Sequence, residues 1–162
     1  KECDWSSDVC SSDLTLRIVP TAAVTFEVWR DLWLDYVGGQ IVADSPLHRH
    51  TYERLCAADA LHGRMAMEGD AALGFVHYYF HPSTWAMTEP CHVQDLYVAP
   101  DARGQQLGGR LIEEVRAHAQ AMSSPVVHWN TRAGNDPARA LYDRIATLSD
   151  RVIYLLSVAP AD

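Results

Sequence analysis

The chain has 162 residues, 48% of them apolar and 21% charged, which suits one compact globular domain with a sizeable core. Its formal charge is −8, no basic patch is visible and no apolar run is long enough to span a bilayer, so neither nucleic acid nor a membrane is an expected partner. Lys1 is the only lysine, which excludes a Walker A lysine, a Schiff-base lysine and a kinase-type phosphate lysine. Arginine in place of lysine, with abundant alanine, points to a GC-rich bacterial genome. No secretory pattern opens the chain, so the cytoplasm is the expected compartment.

Residues 1–14, KECDWSSDVCSSDL, are polar and carry no helix or strand period. They resemble the conceptual translation of a sequencing-library adapter, and a natural disordered tail is the alternative. Either reading sets them aside, and residues 15–162 are expected to form a single domain. Cys56 and Cys91 then remain, neither in a CxxC pair, and both read as small buried hydrophobes. Residues 16–19 alternate as a first strand that stops at Pro20. Thr21 is the expected cap of a helix whose apolar stripe is Trp29, Leu32, Trp33 and Tyr36, ended by Gly38-Gly39. Ser45-Pro46 opens a second helix reaching about Ala58. Residues 64–68 and 72–80 read as strands about the turn Glu68-Gly69-Asp70, and residues 91–98 as a fourth strand. A helix over 105–122, a strand over 126–129, a helix started by Asp136-Pro137 and a last strand over 151–158 complete the order. The pattern predicts a mixed α/β sheet with helices on both faces.

The stretch 95–110, DLYVAPDARGQQLGGR, is the most informative. A strand ends at Val98, a proline-containing turn follows, and glycines open a helix. Such a turn presents unpaired backbone N–H groups and the positive end of a helix dipole to one point, enough to hold a pyrophosphate without lysine. Gly104, Gly108 and Gly109 would let phosphates approach the backbone. Each glycine inside a helix costs roughly 1 kcal/mol, which a purely structural helix start would avoid. An ordinary flexible turn and a dinucleotide loop are the other readings, although RGQQLGG lacks the GxGxxG of the latter.

Arg103-Gly104-Gln105-Gln106-Leu107-Gly108 resembles the acyl-CoA motif (Q/R)-x-x-G-x-(G/A) of the GNAT acetyltransferases. Arg103 and Gly108 match, and Gln106 stands where the central glycine is usual, so crowding of the pyrophosphate and weaker CoA binding are expected. Three further features resemble the same family. GFVHYYF, Trp85 and QDLYV are similar to the aromatic strand, connecting tryptophan and E-D-F-F-V strand of spermidine/spermine-type acetyltransferases. Residues 135–142 match N-x-x-A-x-x-L-Y, and the opening strand and helix resemble the family's start.

The resemblance implies a mostly antiparallel sheet with a splayed central strand pair. It also implies acetyl-CoA as acyl donor and direct transfer to a primary amine in a ternary complex. The cofactor would lie on Leu96, Tyr97, Val98, Arg103, Gly104, Gln105, Gln106, Leu107, Gly108 and Gly109, with Asn135 and Tyr142. Tyr142 stands where the family places the acid that protonates the departing thiolate, and a phenol with a pKa near 10 is protonated at neutral pH. The family's basic glutamate is replaced by Gln94, which cannot accept a proton. Asp95, His92 or a water chain to His77 are the candidate substitutes. Trp33, Tyr78 and Trp85, with Asp95, are candidate walls of the amine site, where aromatic faces would favour a cation. Core packing is the other reading of the three aromatics. His48 and His50 flank Arg49 without metal-ligand spacing, so no metal is expected. No acyl-enzyme nucleophile motif appears. A small-molecule amine is the expected partner, a homodimer is compatible with the chain, and a CoA-binding module without catalysis is the competing reading.

Overall fold

A computed structural model describes residues 15–158, so the expectation for residues 1–14 lies outside the described residues. The chain divides into two compact units, Lys1–Asn130 and Thr131–Asp162.

The first unit is a five-stranded sheet in the order β1-β2-β3-β4-β5. The strands are β1 (Leu16–Pro20), β2 (His62–Glu68), β3 (Ala71–Phe80), β4 (Cys91–Val98) and β5 (Val127–Trp129). Every pairing is antiparallel except β4 with β5, so the mixed sheet expected from the pattern, mostly antiparallel as the resemblance implies, is the one that forms. Strand alternation divides the core in two. Met65, Met67 and Phe75 face α1 (Phe26–Val37) and α2 (Pro46–Ala57), and pack with Trp29, Leu32, Trp33 and Leu55. Ala66, Val76, Tyr78, Cys91 and Val93 face the other way, onto Leu111, Val115 and Ala119 of α3 (Leu107–Ala121). Burying each large side chain contributes about 1.5–3 kcal/mol, and the central strands β2 and β3 take this on both faces.

Local signals place the helices. Thr25, not Thr21, caps α1, accepting from the Val28 N–H at 3.5 Å. Thr21 instead opens a short 3-10 turn after Pro20 and is buried. Gly38 ends α1 at φ +56°, a left-handed turn that glycine adopts without a Cβ penalty. Ser45 and Pro46 start α2 as expected.

Among the described residues, the second unit has one regular element, α4 (Asp136–Ile145), whose N-cap is Asn135 rather than Asp136. The strand expected over residues 151–158 is not formed. Its apolar run is a strand signal, but a strand exists only through a ladder to a neighbour, and among the described residues none pairs with it.

Candidate active site

Strand β4 carries two departures from regular pairing. Against β3, His77 pairs with Asp95 while Tyr78 pairs with Val93, so Gln94 is the extra residue of a β-bulge. Against β5, pairing runs from Cys91–Val127 to Val93–Trp129 and stops there. Among the described residues, the segment from Gln94 to Val98 therefore has no strand partner on that side, and its edge away from β3 carries no ladder. This is the splayed pair that the resemblance implies.

The chain then enters the glycine turn. The Ala99 N–H donates to Leu73 O at 2.9 Å, a 3-10 turn spans Pro100–Ala102, and Arg103 Nε donates back to Val98 O at 3.2 Å. Gly104 sits at φ +82° and Gln106 at φ +60°, ψ +16°, where it caps α3 without any side-chain hydrogen bond. The left-handed backbone gives the physical reason why glycine is usual at position 106: a Cβ is strained there. The first helical bond runs from Arg110 N to Gln106 O, so the N–H groups of Leu107, Gly108 and Gly109 need acceptors from outside the helix. Leu107 is buried and anchors the turn, while a Cβ built on Gly104 would meet nothing within 4 Å. The residues present thus form an open cradle of N–H donors at a helix N-terminus, which fits a pyrophosphate.

On the α1 face of the sheet, the bulge is backed by a buried polar chain. Trp29 Nε1 donates to His77 Nε2 at 3.1 Å, which fixes the proton of the neutral ring on Nδ1. His77 Nδ1 then donates to Asp95 Oδ2 at 3.1 Å, and the Tyr36 hydroxyl donates to Asp95 Oδ1 at 3.0 Å. Burial pushes the His77 pKa down, against the upward pull of Asp95. Both of its nitrogens are engaged within the protein, Nε2 by Trp29 and Nδ1 by Asp95. Both oxygens of Asp95 accept from protein donors, so this carboxylate ties α1 to β4.

His92 lies two residues before Gln94, its Nδ1 3.3 Å from His128 Nδ1 and its ring beside Tyr79 at 5.2 Å. Its pKa is lowered, first by burial and then by His81, with Asp95 acting the other way. The three aromatic candidates do not meet. Trp33 is in the α1-side core, donating to His48 Nδ1 at 3.0 Å, and His48 in turn donates to Val42 O at 2.8 Å. Tyr78 is in the α3-side core, bonded to His118 at 2.9 Å with its phenol pushed up to about 12 by burial. Trp85 is 94% exposed. Trp33 and Tyr78, on opposite faces, form no common wall, and core packing accounts for both. Among the described residues, no group of three His, Cys, Asp or Glu is arranged to hold a metal ion.

In the second unit, Asn135 Nδ2 donates to Thr131 Oγ1 at 3.1 Å, and its carbonyl accepts from Arg139 N at 2.9 Å. Tyr142 is half-buried on α4, and burial raises its pKa above 10.0, which keeps the phenol protonated. Sequence reasoning missed the polar roles of Trp29 and Tyr36. Both sit on the apolar stripe of α1, where periodicity reports burial and is silent on hydrogen bonding. It also missed His81 and His128, which meet only after β3, β4 and β5 pair.

The profile of the Acetyltransferase (GNAT) family matches residues 25–146. The chain is 34% identical to D-amino-acid N-acetyltransferase HPA3 of Saccharomyces cerevisiae over 132 residues, 79% of this chain and 82% of that one. It is similar in fold to a ribosomal-protein-alanine N-acetyltransferase from Brucella melitensis biovar Abortus 2308, with TM-score 0.70 at 21% identity, covering 90% of this chain and 99% of that one. A structure of AAC(6')-Iy with a bisubstrate analogue is also similar, with TM-score 0.76 at 18% identity and the same coverage of 90% and 99%. With the bulged, splayed strand and the glycine turn already in place, the match makes the conclusion plain: the chain belongs to the acetyltransferase (GNAT) family of acyltransferases.

Proposed function

We propose that the protein transfers the acetyl group of acetyl-CoA to the primary amine of a small cationic substrate, by direct attack in a ternary complex. One observation carries this reading. The bulge at Gln94, the unpaired segment to Val98 and the left-handed turn at Gly104 and Gln106 follow one another in a single stretch that leads into α3.

In this reading, the pyrophosphate rests on the N–H groups of residues 103–109 and the pantetheine arm lies along the open edge of β4. Backbone N–H groups near Leu96 to Val98 polarise the thioester carbonyl as charge develops on its oxygen. Tyr142 gives its proton to the leaving thiolate, and its half-buried, protonated phenol suits that task. The family match over residues 25–146 spans both compact units, which supports treating residues 15–162 as one catalytic domain. Relatives named for D-amino acids and thialysine, and neighbours named for aminoglycosides, support an amine acceptor. A net charge of −8 favours a cationic one.

Gln94 at the bulge favours a second reading, an acyl-CoA-binding module with impaired catalysis. Release of coenzyme A in the presence of an amine panel decides between them. Acetyl-CoA binding by calorimetry, lost in Gly108→Glu, together with amine-dependent release reduced about 100-fold or more in Tyr142→Phe, supports transfer. Binding without release supports the module.

A further inference from the structure

Beyond the bulge, at the end of the sheet's α1 face, three histidines touch in series, two on strands and one just past a strand end. His81 follows β3, His92 lies on β4 and His128 on β5. His92 and His128 are register partners in the parallel pair. His81 Nε2 is 3.1 Å from His128 Nε2, and His128 Nδ1 is 3.3 Å from His92 Nδ1. His81 and His92 thus approach opposite nitrogens of His128, a chain and not a convergent ligand set.

The direction of this chain follows from one carbonyl. His81 Nδ1 is 3.0 Å from Pro82 O, which can only accept, so His81 carries its proton on Nδ1. The Nε2 of neutral His81 is then a bare acceptor, and His128 must donate to it from Nε2. The Nδ1 of neutral His128 is therefore bare, and His92 must donate to it from Nδ1. Neutral His92 ends the chain with an unprotonated Nε2. Strand geometry puts His92 about 7 Å along β4 from Gln94, two residues at roughly 3.3 Å each.

We propose that His92, His128 and His81 form a directional proton relay that takes the acceptor amine's proton at His92 Nε2 and delivers it to solvent at His81. The proposal rests on the transferase reading above and fills the role that Gln94 cannot. As the alkylammonium proton binds His92 Nε2, the Nδ1 proton of His92 passes to His128 Nδ1. The Nε2 proton of His128 passes to His81 Nε2, and the resulting imidazolium, still held by Pro82 O, releases a proton to water. The free amine attacks the thioester carbonyl. Collapse of the tetrahedral intermediate breaks the C–S bond and passes the second nitrogen proton to water, because His92 now carries a proton on Nε2; exchange with water returns the three rings to their starting tautomers before the next turnover. The thiolate takes one proton from Tyr142, which water replaces, so each turnover releases one net proton.

Tyr79 from β3 and Asp95 from β4 face the relay beside the three imidazoles. Burial and His81 keep His92 neutral near pH 7, while Asp95 opposes them.

Two measurements test the relay on the full chain. Nitrogen-15 NMR of histidine-labelled protein above pH 7 should show protons on His81 Nδ1, His128 Nε2 and His92 Nδ1, and the reverse set overturns the direction. In the coenzyme A release assay, His92→Gln should lower kcat/KM at pH 7 by about 100-fold, with the rate climbing toward the pKa of the free amine. His128→Phe should move the pH profile the same way by a smaller factor, and added imidazole should restore part of the rate of His92→Ala. A His92→Gln enzyme that keeps the parent rate and profile refutes the relay alone. A parent protein that binds acetyl-CoA but releases no coenzyme A with any amine refutes the transferase reading, and the relay's role with it, whatever the tautomers.

Discussion

Replacing Gln106 with glycine isolates the backbone demand of the turn before α3. Gln106 sits at φ +60° with no side-chain cap bond, so its side chain contributes no hydrogen bond that would be lost. A Cβ in the left-handed region costs about 1–2 kcal/mol. Glycine returns roughly 0.5–1 kcal/mol of that through the extra freedom of the unfolded chain. The net expectation is a gain of about 0.5–1 kcal/mol, or ~1–4 °C in melting temperature for a chain of this size. Gln106→Ala is the control. It removes the same exposed side chain but keeps the Cβ, so it should stay within about 0.5 kcal/mol of the parent. Urea unfolding at constant m-value reads both differences. The glycine variant should also bind acetyl-CoA at least as tightly by calorimetry, since it only clears the cradle. A glycine variant no more stable than the alanine one would refute the claim that strain resides at this residue.

Two further outcomes follow from the buried chain behind the bulge. Trp29→Phe strips the donor from His77 Nε2 in a fully buried setting and should cost about 2–4 kcal/mol. Tyr36→Phe should cost less, because Asp95 keeps 15% side-chain exposure through which water can replace the hydroxyl, and equal losses in urea unfolding would contradict this. Stability should also fall with pH below about 6.5, the ordinary histidine value, and be nearly flat just above it. His77, His62 and His118 all have pKa values lowered by burial, so the unfolded chain takes up protons that the folded one does not. Each contributes a slope of up to roughly 1.4 kcal/mol per pH unit, and His77→Gln should remove one proton's share. Unfolding midpoints independent of pH from 7.5 to 5 would sink this account.

Much of the fold was legible because period and punctuation are local. Cys91–Val98 was bounded as a strand without error, and Ser45-Pro46 marked the start of α2. Features set by partners were not legible. The apolar run at 151–158 reads like a strand but gains no ladder among the described residues, and Thr21 looked like a cap until Thr25 took that place. At the site, the glycine turn was readable because phosphate cradles leave a composition signature. The Asp95 anchor and the histidine series were not, since a bulge shifts which residues share a face and no spacing in one strand reports its neighbours. Trp33 and Tyr78 show the same limit: both are aromatic and near the motif, yet they lie in opposite cores.

The open edge of β4 also acts as a ruler. It is closed at Val93, where the ladder to β5 ends, and it leads directly to the turn at Gly104 and Gln106. From Gln94 to Val98 the strand advances ~13 Å, and that length is fixed by the hydrogen bonds that β4 makes to β3 on its other side. In the proposed reaction a donor would have to be slender, about a backbone's width, and to carry its anionic end at a set distance from its reactive carbonyl. Short thioesters that lack the distant phosphate could enter the slot but would have nothing to set their depth. In the proposed reaction, the sheet itself thus discriminates among acyl donors by length, without any side chain reading the acyl group.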